Sequence, residues 1–250
     1  MDEKRKVLLE VQNLSVEFNG FQAFTDVSMK IYDGELRVII GPNGAGKTTF
    51  MDMVTGKTTP TSGKIFFEGE DITGKPVASI ARFYGIGRKF QGPNVFDNMT
   101  VKENIEIAME GYNTMTKCIF FKRTKEFREK VDEILQLINL YNYRHFMASD
   151  LSHGQRQWLE IGMVMAQNPK LIILDEPTAG MTADETYKTG ELIKKLKGDH
   201  TLIVVEHDMD FVRQVAEYVT VLNYGRLLAE GTMEEIQNNE EVVAVYLKED

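Results

Sequence analysis

A glycine-rich loop follows a short apolar segment near the start of the chain, and this pairing limits what the chain can fold into. The loop satisfies the pattern G-x-x-x-x-G-K-[ST] without a gap. Its residues are Gly41, Pro42, Asn43, Gly44, Ala45, Gly46, Lys47, Thr48 and Thr49. Glycines let backbone N–H groups turn towards phosphate oxygens, and a helix that begins at the loop adds its positive dipole end. The sequence therefore predicts a site for the phosphates of a nucleotide.

The residues around the loop have the order that such a site requires. Residues 36–40 form an apolar run typical of a buried strand, and residues 50–54 place apolar side chains on one face of a predicted helix. Within the loop, we expect Lys47 to reach the β- and γ-phosphates and the Thr48 hydroxyl to hold Mg²⁺.

The composition is that of an ordinary globular protein with an acidic balance. The chain has 250 residues, of which 42% are hydrophobic and 27% charged, so it can bury one large core or two smaller ones. A net charge of -9 argues against general attraction to nucleic acid, and we expect no nucleic-acid partner. The single Cys118 excludes an internal disulfide.

The N-terminal residues and the hydropathy pattern predict a cytoplasmic protein. Residues 1–6 are mostly charged and run into a strand-like segment, unlike a secretory signal. No apolar stretch reaches the roughly 20 residues that a membrane-spanning helix needs. We therefore expect any association with a membrane to come through a partner.

Three patterns follow one another along the chain. Up to about residue 70, apolar runs alternate with turns such as Asn19-Gly20, which predicts antiparallel strands. From about 98 to 167 the apolar spacing is helical, and after residue 168 strands and helices alternate. The predicted fold is α/β and forms a single domain. Its core is 1–97 and 168–250, with an N-terminal antiparallel β subdomain and a helical subdomain inserted at about 98–167.

Two carboxylates end a second apolar run. Residues 171–174 are all Leu or Ile, and Asp175 and Glu176 follow them. A buried strand of a parallel sheet delivers such acids to the carboxyl edge of the sheet, where ligands bind. We expect Asp175 to hold Mg²⁺, directly or through water, and Glu176 to act as the general base for an attacking water.

A third segment combines a helix start with a possible anion site. Ser152 and Gln155 have the spacing of a capping box ahead of an apolar helix that contains Trp158. That spacing alone indicates only a helix start, but the N-terminus of a capped helix also attracts anions. We therefore keep Ser152, His153, Gly154 and Gln155 as candidate nucleotide-binding residues.

Taken in order, the motifs resemble those of the ATP-binding subunits of ABC transporters over nearly the whole chain. They are the loop at 41–48, Gln91 within 89–93, the segments 151–155 and 171–176, and His207 within 205–208. The resemblance implies a P-loop NTPase (RecA-like) core that binds ATP and Mg²⁺ and hydrolyses ATP. It further implies that 151–155 is the family signature, that Gln91 contacts Mg²⁺ and links the site to transmembrane subunits, and that His207 contacts the γ-phosphate.

The resemblance also implies partners. Two ATP-binding subunits of this family close head to tail around two ATP molecules, with the signature of one subunit facing the phosphates held by the other. The expected partners are a second ATP-binding subunit, identical or different, two transmembrane permease subunits and, indirectly, a periplasmic or extracellular solute-binding protein. The chain would then lie on the inner face of the cell membrane, and residues 92–96 would receive a short helix of a permease.

Two aromatic residues compete for the adenine. Phe18, directly before Asn19-Gly20, matches the position of the aromatic residue that stacks on adenine in the family. Phe21 is the alternative candidate, and a role in the core stays open for either ring.

The sequence departs from the family pattern at two positions. His153 stands where the signature usually has glycine, and Thr182 stands where the loop after the acidic strand usually has aspartate. Thr182 and Glu185 also have the spacing of a capping box. The role of this loop across a dimer therefore stays open.

Within the family, the segments 85–91, 151–162 and 179–182 most resemble an ATPase subunit of bacterial urea uptake systems, which are relatives of the branched-chain amino acid importers. We therefore expect ATP hydrolysis that drives import of a small polar solute, with urea first and branched-chain amino acids or other amides as the alternative. An ABC ATPase of export or of soluble work, and a nucleotide sensor without hydrolysis, are the rivals. The presence of Glu176 and His207 argues against the sensor.

Overall fold

The computed structural model describes residues 5–89, 95–110 and 124–246, and the predicted residues Gln91 and Cys118 lie outside these ranges. The strands within the ranges are β1 (Val7–Phe18), β2 (Phe21–Tyr32), β3 (Leu36–Ile40), β4 (Ser62–Phe67), β5 (Glu70–Asp71), β6 (Ile86–Lys89), β7 (Leu171–Asp175), β8 (Thr201–Val205), β9 (Tyr218–Asn223) and β10 (Arg226–Gly231). The helices are α1 (Lys47–Val54), α2 (Val77–Ser79), α3 (Val101–Glu110), α4 (Lys125–Leu137), α5 (His153–Ala166), α6 (Ala183–Leu196), α7 (Met209–Val215), α8 (Met233–Gln237) and α9 (Glu240–Tyr246). A π-helical turn, Ile80–Tyr84, follows α2, and two 3₁₀ turns, Tyr141–Tyr143 and Ala148–Asp150, precede α5.

The first sheet is antiparallel and has the strand order β2-β1-β4-β5. The predicted turn at Asn19-Gly20 joins β1 to β2, where Phe18 pairs with Phe21. This sheet packs over α1 and one face of the second sheet, so the end of β1 lies near the glycine-rich loop.

Strand β1 continues across a short polar interruption. The polar interruption after Val11 is a bulge, because the register shifts between Val11 and Leu14 and Asn13 adopts a φ of 48°. The backbone N–H of Asn13 donates to the hydroxyl of Ser28 on β2 at 2.8 Å. A side chain of the neighbouring strand thus satisfies the bulged backbone, and pairing resumes beyond it.

The second sheet has six strands in the order β10-β9-β3-β8-β7-β6. Its strands run parallel except for β10, which pairs antiparallel with β9 at the edge. Helix α6 connects β7 to β8, and α7 connects β8 to β9, as crossovers between parallel strands require. The predicted α/β fold with an antiparallel sheet at its N-terminal side is confirmed.

Alternate residues of the parallel strands face two hydrophobic cores. Ile39 and Ile173 belong to the core that the antiparallel sheet covers, together with Phe50 of α1. Their neighbours Val38 and Ile172 belong to the other core, which the helices cover. Because both faces are covered, the central strands are apolar throughout, as buried parallel strands usually are.

Helices α3, α4 and α5 share the second core with the sheet. Val101 of α3, Val131 and Leu135 of α4 and Leu159 of α5 are fully buried there. The helical spacing of residues 127–138 correctly predicts α4. A separate helical subdomain with bounds at about 98 and 167 stays a prediction. None of the helices in the described ranges is long and apolar enough to cross a membrane.

Candidate nucleotide site

Three strands of the parallel sheet end at one edge beside the predicted motifs. Strand β3 leads into the glycine-rich loop, β7 ends in the predicted carboxylates and β8 leads to His207. The backbone N–H of Glu176 donates to the carbonyl oxygen of Val205 at 2.9 Å, and that of Glu206 donates to Ile39 at 3.3 Å. These bonds continue the pairing of the sheet by one residue beyond β7 and β8. They hold the backbone of Glu176 and Glu206 at the carboxyl edge of the sheet, where ligands bind.

A cavity of about 600 Å³ lies at this edge, next to the loop. It is lined by Phe18, Phe21, Gln22, Ala23, Asn43, Gly44, Ala45, Gly46, Lys47, Thr48, Thr49, Glu176 and Tyr224. The structure therefore brings most of the predicted loop together with Phe18 and Glu176. Among the described residues, the predicted positions that do not line the cavity are Gly41, Pro42, Asp175, His207 and the segment 152–155.

Two glycines show how the loop is packed on one side and open on the other. A Cβ on Gly41 would lie 2.2 Å from the carbonyl oxygen of Leu222, so a side chain there would push the loop away from β9. Gly44 has a φ of +79°, and a Cβ on it would meet no atom within 4 Å. The backbone at Gly44 thus borders open space, as a phosphate cradle requires.

The Lys47 ammonium lies over the loop. Its Nζ donates to the carbonyl oxygens of Gly41 and Pro42, the latter at 3.0 Å. Lys47 begins α1, and Thr48 follows it in the first turn. The first N–H groups of a helix have no partner within the helix, so this turn and the ammonium together favour an anion.

Asp175 is buried and paired with an arginine that the motifs did not indicate. Its Oδ2 lies 3.3 Å from Nη2 of Arg88, whose Nη1 lies 2.5 Å from Oδ1 of Asp52 on α1. Burial raises the pKa of Asp175, and the Arg88 guanidinium opposes that rise. Arg88 precedes the predicted Gln91 by three residues, but nothing in its local pattern showed which carboxylates it would reach.

Glu176 and His207 lie close together at the cavity edge. Glu176 lines the cavity and adopts a φ of 45°, which is uncommon for a residue other than glycine. Nδ1 of His207 is 3.7 Å from Oε1 of Glu176 and 3.9 Å from Oε2 of Glu206. Glu206 is buried and accepts a hydrogen bond from the Thr178 hydroxyl at 2.6 Å, which fixes the turn after β7. The His207 side chain is 67% exposed, so an incoming phosphate can reach it.

Three aromatic rings border the cavity. Phe18 and Phe21 are 45% and 72% exposed, so neither ring fills the core. Both line the cavity, and the choice between them for the adenine stays open. Tyr224, in the turn between β9 and β10, is a third ring, and it belongs to none of the motifs in the sequence.

The signature segment begins α5, away from the cavity lining. Ser152 and Gln155 form the predicted capping box, in which each side chain bonds the backbone N–H of the other residue. The start of this helix packs closely on the start of α6, because a Cβ on Gly154 would lie 2.4 Å from Oε1 of Glu185. Gly154 therefore lets two helix starts approach each other within one chain.

The two departures from the family pattern lie next to each other. Nε2 of His153 contacts the carbonyl oxygen of Ala179 at 2.9 Å, in the loop between β7 and α6. Thr182, in the same loop, forms the predicted capping box with Glu185. The hydroxyl of Ser152 lies 3.5 Å from Oε1 of Glu185, so both helix starts share this carboxylate.

These residues fit a nucleoside triphosphate with Mg²⁺. Lys47 and the first turn of α1 supply positive potential beside the open loop, and the oxygens of Thr48 and Asp175 are of the kind that Mg²⁺ prefers. Within the described ranges, no group of three or more His, Cys, Asp or Glu side chains could hold a metal ion by itself. In phosphoryl transfer, Mg²⁺ usually takes ligands from phosphate and water in addition to one or two protein side chains.

A family model described as ABC transporter matches residues 24–179, more than half of the chain. The chain belongs to the ABC transporter family. A second model, described as branched-chain amino acid ATP-binding cassette transporter, matches residues 226–247, which hold β10, α8 and α9.

Relatives among ABC transporter proteins match nearly the full chain. The high-affinity branched-chain amino acid transport ATP-binding protein BraF of Pseudomonas aeruginosa is 38% identical over 97% of this chain and 98% of its own length. The crystal structure of a nucleotide-free ATP-binding cassette from an ABC transporter has a TM-score of 0.84 and 33% identity, covering 96% of this chain and 98% of that one. A dimeric ATP-binding cassette in a post-hydrolysis state, bound to ADP and Pi, has a TM-score of 0.77 and 26% identity, covering 90% and 99%.

Membership of the ABC transporter family confirms three predictions made from the sequence. The fold is that of an ABC ATPase, ATP and Mg²⁺ are its ligands, and ATP hydrolysis is coupled to transport. The roles of individual residues at the site stay predictions.

Proposed function

We propose that this chain is the ATP-hydrolysing subunit of an importer for branched-chain amino acids. The observation that carries the proposal is the match of residues 226–247 to the branched-chain amino acid model, which lies outside the general family match. BraF and the other relatives of similar identity are named for the same substrates. They do not support urea as the first substrate, so the alternative named in the sequence analysis takes its place.

The glycine-rich loop binds the phosphates in this proposal. The Lys47 ammonium exchanges the carbonyl oxygens of Gly41 and Pro42 for β- and γ-phosphate oxygens, with which it forms stronger, charge-assisted bonds. Thr48, Asp175 and Gln91 would hold Mg²⁺, and the ion would supply positive charge to neutralise the phosphates. The Arg88 guanidinium opposes the rise that burial causes in the pKa of Asp175, and so favours the ionised form that binds a cation.

Glu176 is the general base. Its carboxylate accepts a proton from a water whose oxygen bonds to the γ-phosphorus while the bond to the leaving ADP oxygen breaks. His207 lies within 3.7 Å of Glu176 and donates to the γ-phosphate. Two neighbouring side chains thus act on the two reacting partners, the water and the phosphate.

The catalytic unit is a head-to-tail pair. None of the signature residues 151–155 lines the nucleotide cavity of the same chain, yet the capped start of α5 attracts anions. The related cassette bound to ADP and Pi is a dimer. In this proposal Ser152, His153, Gly154 and Gln155 face the nucleotide held by a second ATP-binding subunit.

A second cavity, of about 340 Å³, is the proposed docking site for a permease helix. It lies beside β6, which leads to Gln91, and Lys89 and Phe96 line it. The Phe96 ring is 50% exposed, so it does not fill the core of the helices. The amide of Asn104 holds the Phe96 backbone in place with bonds of 2.7 and 3.1 Å. Docking here places the chain on the inner face of the membrane and links it to a solute-binding protein only through the permeases.

Solute uptake by cells that lack the gene tests the proposal. Cells complemented with wild type, Lys47→Ala or Phe96→Asp are given labelled leucine or labelled urea. We expect only wild type to restore leucine uptake, because Lys47→Ala removes a charge that meets the phosphates and Phe96→Asp places a charge where a docked helix would bury it. Restored uptake of urea but not leucine would overturn the proposed substrate.

A matched variant separates docking from folding. Phe146 is 51% exposed and does not line this cavity, so Phe146→Asp should transport as wild type does. Purified Phe96→Asp should keep its ATPase rate and melting temperature. Wild-type transport by Phe96→Asp would remove the docking site from the proposal.

A further inference from the structure

Tyr224 presents an almost fully exposed ring at the nucleotide cavity. It is 85% exposed, and it lines the cavity together with Phe18 and Phe21. A ring this exposed buries little apolar surface, so packing does not account for it. Its position points instead to a ligand that covers the ring when bound.

The backbone of Tyr224 adopts a conformation that tyrosine rarely takes. Its φ is 47° and that of Gly225 is 71°, in the two-residue turn between β9 and β10. Positive φ at both positions is typical of a type I′ hairpin turn, which favours Asn, Asp or Gly at the first position. A bulky side chain in this region is strained, and such strain is often found at functional sites.

The turn is fastened directly to the phosphate loop. The N–H of Gly225 donates to the carbonyl oxygen of Ala45 at 3.0 Å, and its carbonyl accepts from the N–H of Thr25 at 2.7 Å. A Cβ on Gly46 would lie 3.3 Å from Cα of Gly225, so the two glycines are in direct contact. Tyr224 is therefore held in a fixed position next to the phosphates' binding loop.

We propose that Tyr224 contacts the base of the bound nucleotide, as a second ring beside Phe18 or Phe21. The inference rests on the proposed nucleotide site and adds a residue that none of its motifs contains. The phosphate loop binds the phosphates of any nucleotide, whereas an aromatic ring packs only on the base. Tyr224 thus adds affinity for a nucleoside triphosphate and none for a bare triphosphate.

Titrations with ATP and with inorganic tripolyphosphate test this inference on the purified chain. Tyr224→Asn removes the ring but suits the turn better than tyrosine does, so its melting temperature should equal or exceed that of wild type. Its Kd for ATP should rise by about three- to ten-fold, the effect of one lost aromatic contact. Its Kd for tripolyphosphate should not change, and Tyr224→Phe should bind ATP as wild type does.

Two controls keep this inference separate from the proposed function. Tyr187 on α6 is 59% exposed and lies outside the cavity lining, so Tyr187→Asn should bind ATP normally. Lys47→Ala should weaken both ATP and tripolyphosphate. An unchanged ATP affinity in Tyr224→Asn, or an equal loss for both ligands, would overturn the inference and leave the site in place. A wild-type chain that binds neither ligand would overturn both.

Discussion

Arg88 joins two carboxylates that belong to different elements of the site. It reaches Asp52 at the end of α1 and Asp175 at the end of β7, and its side chain is only 3% exposed. Both side chains of the Arg88–Asp175 pair are buried. Loss of one partner therefore leaves the other as a buried charge without a counter-charge. Arg88 therefore connects the helix that follows the glycine-rich loop to the strand that carries Asp175, the proposed ligand of Mg²⁺.

Arg88→Met should destabilise the protein by about 3 kcal/mol near neutral pH, as loss of one partner from a buried ion pair does. Without Arg88, burial raises the pKa of Asp175 further above its unfolded value. A carboxyl of raised pKa destabilises the folded state above its unfolded pKa, and this cost disappears as the pH falls and the group protonates. The loss, measured by denaturant unfolding, should thus be larger at pH 8 than at pH 5.

Arg213→Met is the matched control for Arg88. Arg213 also pairs with an aspartate, at 2.8 Å, but its side chain is 53% exposed, so its loss should change stability by less than about 1 kcal/mol. Equal effects of the two substitutions at both pH values would contradict the role given to Arg88.

The apolar run before Asp175 predicts that this acid belongs to the site. No such pattern predicts the role of Arg88, because its two partners lie 36 and 87 residues away along the chain.

At the scale of elements, the starts of α5 and α6 form one unit. Both capping boxes were predicted correctly from local spacing, Ser152 with Gln155 and Thr182 with Glu185. The backbone N–H and hydroxyl of Thr182 hold the pKa of Glu185 below its ordinary value. Contact between the two helix starts could not be predicted, because it depends on how α5 packs on the sheet and leaves no periodic pattern in the sequence.

His153→Gly tests whether this unit positions the loop between β7 and α6. The substitution restores the family's usual residue and removes the contact of Nε2 with Ala179. A hydrogen bond of this kind contributes about 1 kcal/mol, so kcat for ATP should fall by roughly five-fold. KM reports separately on nucleotide binding, because the substitution leaves the phosphate loop untouched while the proposed head-to-tail pair places His153 at the nucleotide of the second subunit.

His145→Ala is the control for the histidine contact. His145 is exposed and does not line the nucleotide cavity, so its removal should leave both kinetic constants as they are. A rise in KM with constant kcat for His153→Gly would show that His153 acts on nucleotide binding and not on the loop.

At the scale of the whole molecule, the nucleotide cavity and the signature segment lie at different places in the chain, and the proposed head-to-tail pair would join them. The cavity collects residues from β1, the glycine-rich loop, the end of β7 and the turn after β9, whereas the signature lies at the start of α5. Of the residues that the order of motifs predicted for the site, most of the glycine-rich loop, Phe18 and Glu176 line this cavity, and their roles stay predictions. The motifs did not predict the bulge at Asn13 or the turn at Tyr224, since both depend on pairing between strands that close only in the folded chain.

Phosphate release by Glu176→Gln, with ATP affinity measured on the same preparation, tests the central claim that Glu176 is the general base. The amide keeps the shape of the side chain but cannot accept the water's proton, so turnover should fall by about a hundred-fold or more while ATP still binds. Glu217→Gln changes an exposed carboxylate elsewhere and should leave both quantities at wild-type values. Turnover by Glu176→Gln within a factor of two of wild type would show that Glu176 is not the general base.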